Sequence, residues 1–264
     1  MTTSTALSNP PLLASTVRGR GPVVVLLHGF LSSSEYWRRV ADISEADHTV
    51  VALDLLGFGA SPKPRKSRYD YDAHIASIDA TLKQLGISDG FTLVGHSMGS
   101  LIALRYARLN KDKVGKLVLV NMPVMLGKRQ VREEIGGTSF AYRYGLQPYT
   151  HRFAWSIFKA LFRLRLLSRS TIRRLKENSY FFEHSPLSRI RSFQRVIADA
   201  RADIDLNLVR VETLILSGLE DRKVYLDNIL HNISLSPTVA VETVPTGHHI
   251  PCAMPSVLAR KLSE

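Results

Sequence analysis

The chain has 264 residues, 45% of them apolar, which is enough to bury one large core without staples. Its single cysteine, Cys252, excludes an internal disulfide framework and a multi-cysteine metal site, and suits a reducing compartment. The net charge of +12 is concentrated: from Met122 to Arg201 stand 16 Lys/Arg against 5 Asp/Glu.

In chain order, residues 1–22 carry neither a cationic leader nor a long apolar run. No segment approaches the roughly 18 apolar residues of a membrane span, so the expected location is cytoplasmic. A continuous apolar strand, PVVVLLHG (22–29), precedes a helical pattern over 34–43. The next strand, HTVVALDLLG (48–57), runs into DLLGFGAS (54–61), whose glycines lack the spacing of a dinucleotide fingerprint. A helix over 72–85 then leads to the strand FTLVG (91–95).

That strand ends on Gly95-His96-Ser97-Met98-Gly99, and a helical pattern covers 97–110. The bare G-x-S-x-G pattern is a weak signal, because chance supplies it often in a chain of this composition. Its context carries the weight: strand, sharp turn, helix. A serine at such a turn has a strained backbone, and the residues two positions away must be small so that strand and helix can pack around it. Gly95 and Gly99 meet that demand.

After the strand GKLVLVN (115–121) the rhythm breaks. Residues 122–205 hold helix-like pieces at 151–167 and 170–182 but no convincing strand, and read as a helical cap inserted between two late strands. The pattern resumes with the strand VETLILSG (211–218), a helix over 225–233, the strand VAVETVPTG (239–247) and a helix over 254–263. Residues 1–121 and 206–264 therefore form the core. Apolar strands alternating with helices mean a mostly parallel sheet covered on both faces, with sites at the carboxyl ends of its strands.

At those carboxyl ends lie His28-Gly29-Phe30, Ser97, GLEDRKV (218–224) and TGHHIP (246–251), so serine, acid and histidine follow in that order. This order and placement resemble the α/β-hydrolase fold family over nearly the whole chain, in its serine esterase and lipase-like branch; because the part before Pro22 is short, the resemblance implies that the family's leading antiparallel strands are reduced to one, near Leu12 to Val17. The resemblance implies Ser97 as nucleophile, Asp221 as acid and His248 as base, with the backbone N–H groups of Phe30 and Met98 as the oxyanion hole. The family spacing from Gly218 favours Asp221 over Glu220, and placement after Gly247 favours His248 over His249. His28 reads as structural, His96 as packing beside the serine, and Cys252 as packing near the histidine loop. A serine at the elbow argues against the family's dehalogenases and epoxide hydrolases, whose corresponding residue is Asp. No cofactor and no metal are expected. The implied activity is hydrolysis of carboxylic esters through an acyl-enzyme; a C–C bond hydrolase or lyase, or a ligand-binding protein on this scaffold, are the alternatives.

Within the cap, Phe153, Ile157, Phe158, Leu161 and Phe162 recur at helical spacing and offer an apolar face; of these, Phe153, Phe158 and Phe162 are the candidate substrate-pocket residues. Lys159, Arg163, Arg169, Arg173 and Arg174 make the other face basic, which suits peripheral contact with anionic lipid. Nucleic acid is a weaker partner, since no recognised binding module surrounds the basic segment.

Overall fold

The six apolar runs become strands and a short polar-edged strand precedes them: β1 Ser15–Arg18, β2 Val23–Leu27, β3 Thr49–Leu53, β4 Phe91–His96, β5 Val114–Val120, β6 Glu212–Gly218 and β7 Val239–Val244. In this computed structural model, which describes residues 9–136, 156–157, 160–166 and 183–264, they form one sheet in the order β1-β3-β2-β4-β5-β6-β7. Only the edge strand β1 runs antiparallel, against β3; every other pairing is parallel. The reason for the continuous apolar runs is two-sided burial. Along β2, Val25 and Leu27 enter one core with Leu53, Leu93, Leu119 and Ile215, while Val24 and Leu26 enter the other with Trp37, Val94, Val118 and Leu258. Each such fully buried side chain contributes about 1.5–3 kcal/mol.

The helices that cover the sheet include α1 Arg38–Ser44, α2 Tyr71–Gln84 and α3 Met98–Leu109. Asp70 caps α2 by accepting the Ala73 N–H at 3.1 Å, which satisfies one of the N–H groups a helix start leaves over. Two boundaries differ from the pattern. The run 48–57 stops being a strand at Leu53, because the Asp54 carboxylate gathers the N–H groups of Ser34 (2.6 Å) and Ala60 (2.7 Å) into a turn. The last helical pattern, 254–263, is the helix Pro255–Ser263, and a short helix that no pattern indicated, Ile250–Ala253, precedes it; Pro255 has no N–H to continue the first and fits the start of the second.

Between β5 and β6 the described regular elements are helical, apart from an isolated bridge between Phe58 and His184. They comprise α4 Lys128–Gly136, a helical stretch at 160–163, the helix Pro186–Ser192 with its wider continuation Phe193–Ile197, and the helix Ala202–Leu208. The pattern over 151–167 stops short of its predicted end: the chain turns at Leu164 and Arg165, the latter at φ +58°. Two contacts dock this region, one at the carboxyl edge of the sheet and one at the far end of α3. Ser185 and Ser188 form a capping box that starts the helix Pro186–Ser192, and the Ser188 hydroxyl donates to the Gly57 carbonyl at 2.8 Å. Asp205, buried, takes Arg105 at 2.6 Å and Arg108 at 2.8 Å from α3.

Candidate active site

Ser97 sits between β4 and α3 at φ 52°, ψ −119°, a conformation few L-residues adopt. It is maintained by close packing on either side. A Cβ on Gly95 would stand 2.4 Å from the Gly99 carbonyl, and one on Gly99 would stand 2.4 Å from the Leu27 carbonyl. Only glycine lets the turn close this tightly against β2. Met98, the first residue of α3, carries one of the N–H groups that a helix start leaves without an intrahelical acceptor.

The end of β2 comes to the same place. A Cβ on Gly29 would lie 3.2 Å from Ser97 Cβ, so the Gly29–Phe30 peptide runs alongside the serine. Phe30 is held by aromatic contacts with Phe58 and Phe193, at ring separations of 6.1 Å. His28 behaves as a structural residue: its Nε2 accepts the Leu55 N–H at 2.9 Å and its Nδ1–H donates to the Gly29 carbonyl at 2.7 Å. Burial lowers its pKa and keeps the ring neutral.

Asp221 and His248 meet across the ends of β6 and β7, with Nδ1 2.8 Å from Oδ2. A carboxylate only accepts, so Nδ1 carries the proton and Nε2 is left as the basic nitrogen. The tight approach of the two loops explains the glycine before the acid: a Cβ on Gly218 would stand 2.3 Å from the Thr246 carbonyl. Glu220 is not oriented this way; its N–H bonds the Thr246 carbonyl at 2.9 Å. Burial pushes the Asp221 carboxyl up, yet hydrogen bonds from His248, the Arg222 N–H and Asn121 outweigh it and hold the pKa below the ordinary value. Among the described residues, no hydrogen bond joins Ser97 to His248; such contacts often tighten only around bound substrate.

Two groups beside this pair were not evident from the sequence. Asn121, at the end of β5, has φ 48° and donates its Nδ2–H to Asp221 Oδ2 at 2.9 Å. The asparagine that ends GKLVLVN was the available signal, because Asn tolerates the left-handed region and caps strand ends. His96 does more than pack. Its Nε2 lies 2.8 Å from the His248 carbonyl, so it must be the protonated nitrogen, and it also contacts Tyr36 Oη at 3.2 Å. Tyr36 Oη in turn reaches His249 Nδ1 at 3.1 Å. Burial, then the neighbouring histidines, hold His96 well below the usual histidine pKa. His248 is thus fixed from two sides, by a carboxylate on its ring and a neutral imidazole on its backbone.

A family model for the alpha/beta hydrolase fold matches residues 22–253. The chain belongs to the α/β-hydrolase family. Among curated relatives of this α/β-hydrolase is the probable lysophospholipase BODYGUARD 4 of Arabidopsis thaliana, 40% identical over 102 residues, which are 38% of this chain and 24% of that one. A haloalkane dehalogenase of Mycolicibacterium paratuberculosis is 41% identical over 103 residues, 38% of this chain and 34% of that protein. The chain thus spans only about a quarter to a third of these relatives. Among solved structures, an esterase from Exiguobacterium antarcticum superposes with a TM-score of 0.75 at 22% identity, covering 96% of each chain.

Of the predicted pocket residues, Phe153 and Phe158 lie outside the described residues, as do Lys159, Arg169, Arg173 and Arg174; Phe162 is half-buried and Arg163 exposed. Among the described residues, no group of three metal-type side chains is arranged to hold an ion, and no helix is long and apolar enough to cross a membrane.

Proposed function

We propose that this α/β-hydrolase is a serine ester hydrolase acting through an acyl-enzyme, with Ser97, His248 and Asp221 as its triad. One observation carries the reading: a strained serine and a hydrogen-bonded Asp–His pair occupy the same carboxyl edge of the sheet. His248 Nε2 takes the Ser97 proton as Oγ attacks the ester carbonyl, and Asp221 stabilises the imidazolium that forms. The N–H groups of Phe30 and Met98 receive the oxyanion, each worth about 2.7–4 kcal/mol in the transition state. Collapse expels the alcohol, which takes the proton back from His248. Water, deprotonated by the same nitrogen, then releases the acid.

A serine at the elbow separates this chain from the chemistry named for its dehalogenase relative, and the lysophospholipase and esterase relatives support an ester with an apolar acyl group. The reading assigns the cap to residues 122–205 and makes Phe162 the described candidate for an acyl pocket, Phe153 and Phe158 lying outside the described residues. The test is a panel of esters graded in acyl length, assayed with the wild type and with Ser97→Ala. Activity on esters that Ser97→Ala abolishes, with the melting temperature unchanged, supports the reading. Near-wild-type turnover by the folded variant contradicts it.

A further inference from the structure

The segment Lys63-Pro64-Arg65-Lys66-Ser67-Arg68 places four cations in six residues after β3, all four exposed. Because positive and negative charges balance almost exactly outside residues 122–201, composition hides this cluster. The fold enlarges it. Arg191 and Arg195 stand four residues apart on the helical segment 186–197, hence on one face of it. Arg191 donates to the carbonyls of Ser67 and Arg65, the latter at 3.3 Å, and Arg195 donates to the Arg68 carbonyl at 2.9 Å. Lys63 is likewise held by carbonyls, those of Gly59 at 2.6 Å and Ser61 at 3.2 Å. These partners are neutral, so the cations are oriented without being cancelled. Among the described residues, the carboxylate paired with any of the six is Asp70, 2.6 Å from Arg68.

The same helical segment faces the candidate site with its opposite side. Ile190, Phe193 and Val196 are buried, and Phe193 packs on Phe30. A helix with its side chains is about 10–12 Å across, so the basic rim lies roughly one helix width from the proposed oxyanion hole. Unbalanced cations at such a spacing repel one another and favour a negatively charged partner.

We infer that this rim, formed by residues 63–68 with Arg191 and Arg195, docks the protein on an anionic lipid surface and presents the site to esters held there. The link to catalysis rests on the ester-hydrolase reading; the docking itself does not. A lipid surface fits better than nucleic acid. The rim is a short loop against a helix side, and among the described residues it carries no exposed aromatic platform for bases and no helix free to enter a groove.

The experiment uses Ser97→Ala protein, so that binding is read without turnover. Co-sedimentation is measured with vesicles of phosphatidylcholine alone and with added phosphatidylglycerol, at low and high salt. Arg65→Gln/Lys66→Gln changes the two exposed side chains whose loss breaks none of the bonds above. Arg20→Gln/Lys111→Gln removes the same charge from two exposed side chains just before the starts of β2 and β5, at the amino edge of the sheet and about a strand length from the rim. The inference expects binding to the anionic vesicles only, lost at high salt and weakened about 25-fold by the rim pair, at roughly 5-fold per charge, but little by the control pair. Equal or negligible binding to both vesicle types at low salt would overturn it. So would equal loss in the two charge pairs, or tighter binding of a single-stranded oligonucleotide through the same rim residues. If binding behaves as expected while no ester is turned over by the wild type, the hydrolase reading fails and the docking surface stands.

Discussion

At the elbow, Ser97 is fixed by backbone against backbone: β4, α3 and β2 approach so closely at Gly95 and Gly99 that no side chain fits. On the acid side, Asp221 and His248 are fixed by side-chain hydrogen bonds from Asn121, His96 and the Asp–His contact itself. The two halves meet at one sheet edge but are specified by different physics. Steric closure is local and depends on residues two positions apart. Hydrogen-bonded positioning draws on residues 100 or more positions apart in the chain, such as Asn121 and Asp221 or His96 and His248.

The largest effect that separates the halves is chemical. Asp221→Asn should leave the elbow intact and lower kcat by about 10⁴, the scale seen when a triad acid is replaced by its amide. Glu220→Gln should change kcat little, and the reverse ranking in steady-state kinetics would show that the acid is misassigned. Gly99→Ala should act the other way, on stability first. Its Cβ would press on the Leu27 carbonyl, so the loss should reach or exceed the top of the ~1–3 kcal/mol range for overpacking, read by urea unfolding. A variant as stable as the wild type would mean that the elbow is looser than its contacts indicate.

Asn121→Ala should be milder than either. It removes one hydrogen bond to a charged group, worth about 1.5–3 kcal/mol, and frees Asp221 to turn. A fall in kcat of roughly 10–100-fold with KM nearly constant is expected. Equal changes in kcat and stability, with the pH profile unmoved, would reduce Asn121 to a structural strand cap.

Acid should act on stability across the whole fold. His28, His74 and His96 are lowered by burial, His74 to about 3, so each folded pKa lies below its unfolded value. Their contribution is complete above about pH 6.5 and is lost as pH falls towards the folded values, at about 1.4 kcal/mol per unit per histidine. Asp221, also lowered, gives up its contribution only below the ordinary carboxylate range. Unfolding free energies measured from pH 7 to pH 5 should therefore decline, and a flat profile would contradict neutral buried histidines.

The legibility of each region in the sequence follows the same division. The strands of the parallel sheet showed as continuous apolar runs because both faces are buried, and the elbow showed because glycine is its steric signature. Family spacing pointed to Asp221 and His248. Asn121 and the second bond of His96 were hidden, since nothing local marks a side chain whose partner is far along the chain. The basic rim at 63–68 was hidden for another reason: its partners Arg191 and Arg195 were counted within the cap, and the fold alone unites them.

The central claim is that His248 and Asp221 make Ser97 nucleophilic. Incubation with a fluorophosphonate, followed by intact mass and peptide mapping, tests it without any knowledge of the substrate. The account predicts a single adduct on Ser97, formed rapidly by the wild type and at least about 100-fold more slowly by folded His248→Gln, in line with losing a general base. A folded wild-type protein that takes no label, or takes it on another residue, or labels equally fast without His248, would contradict it.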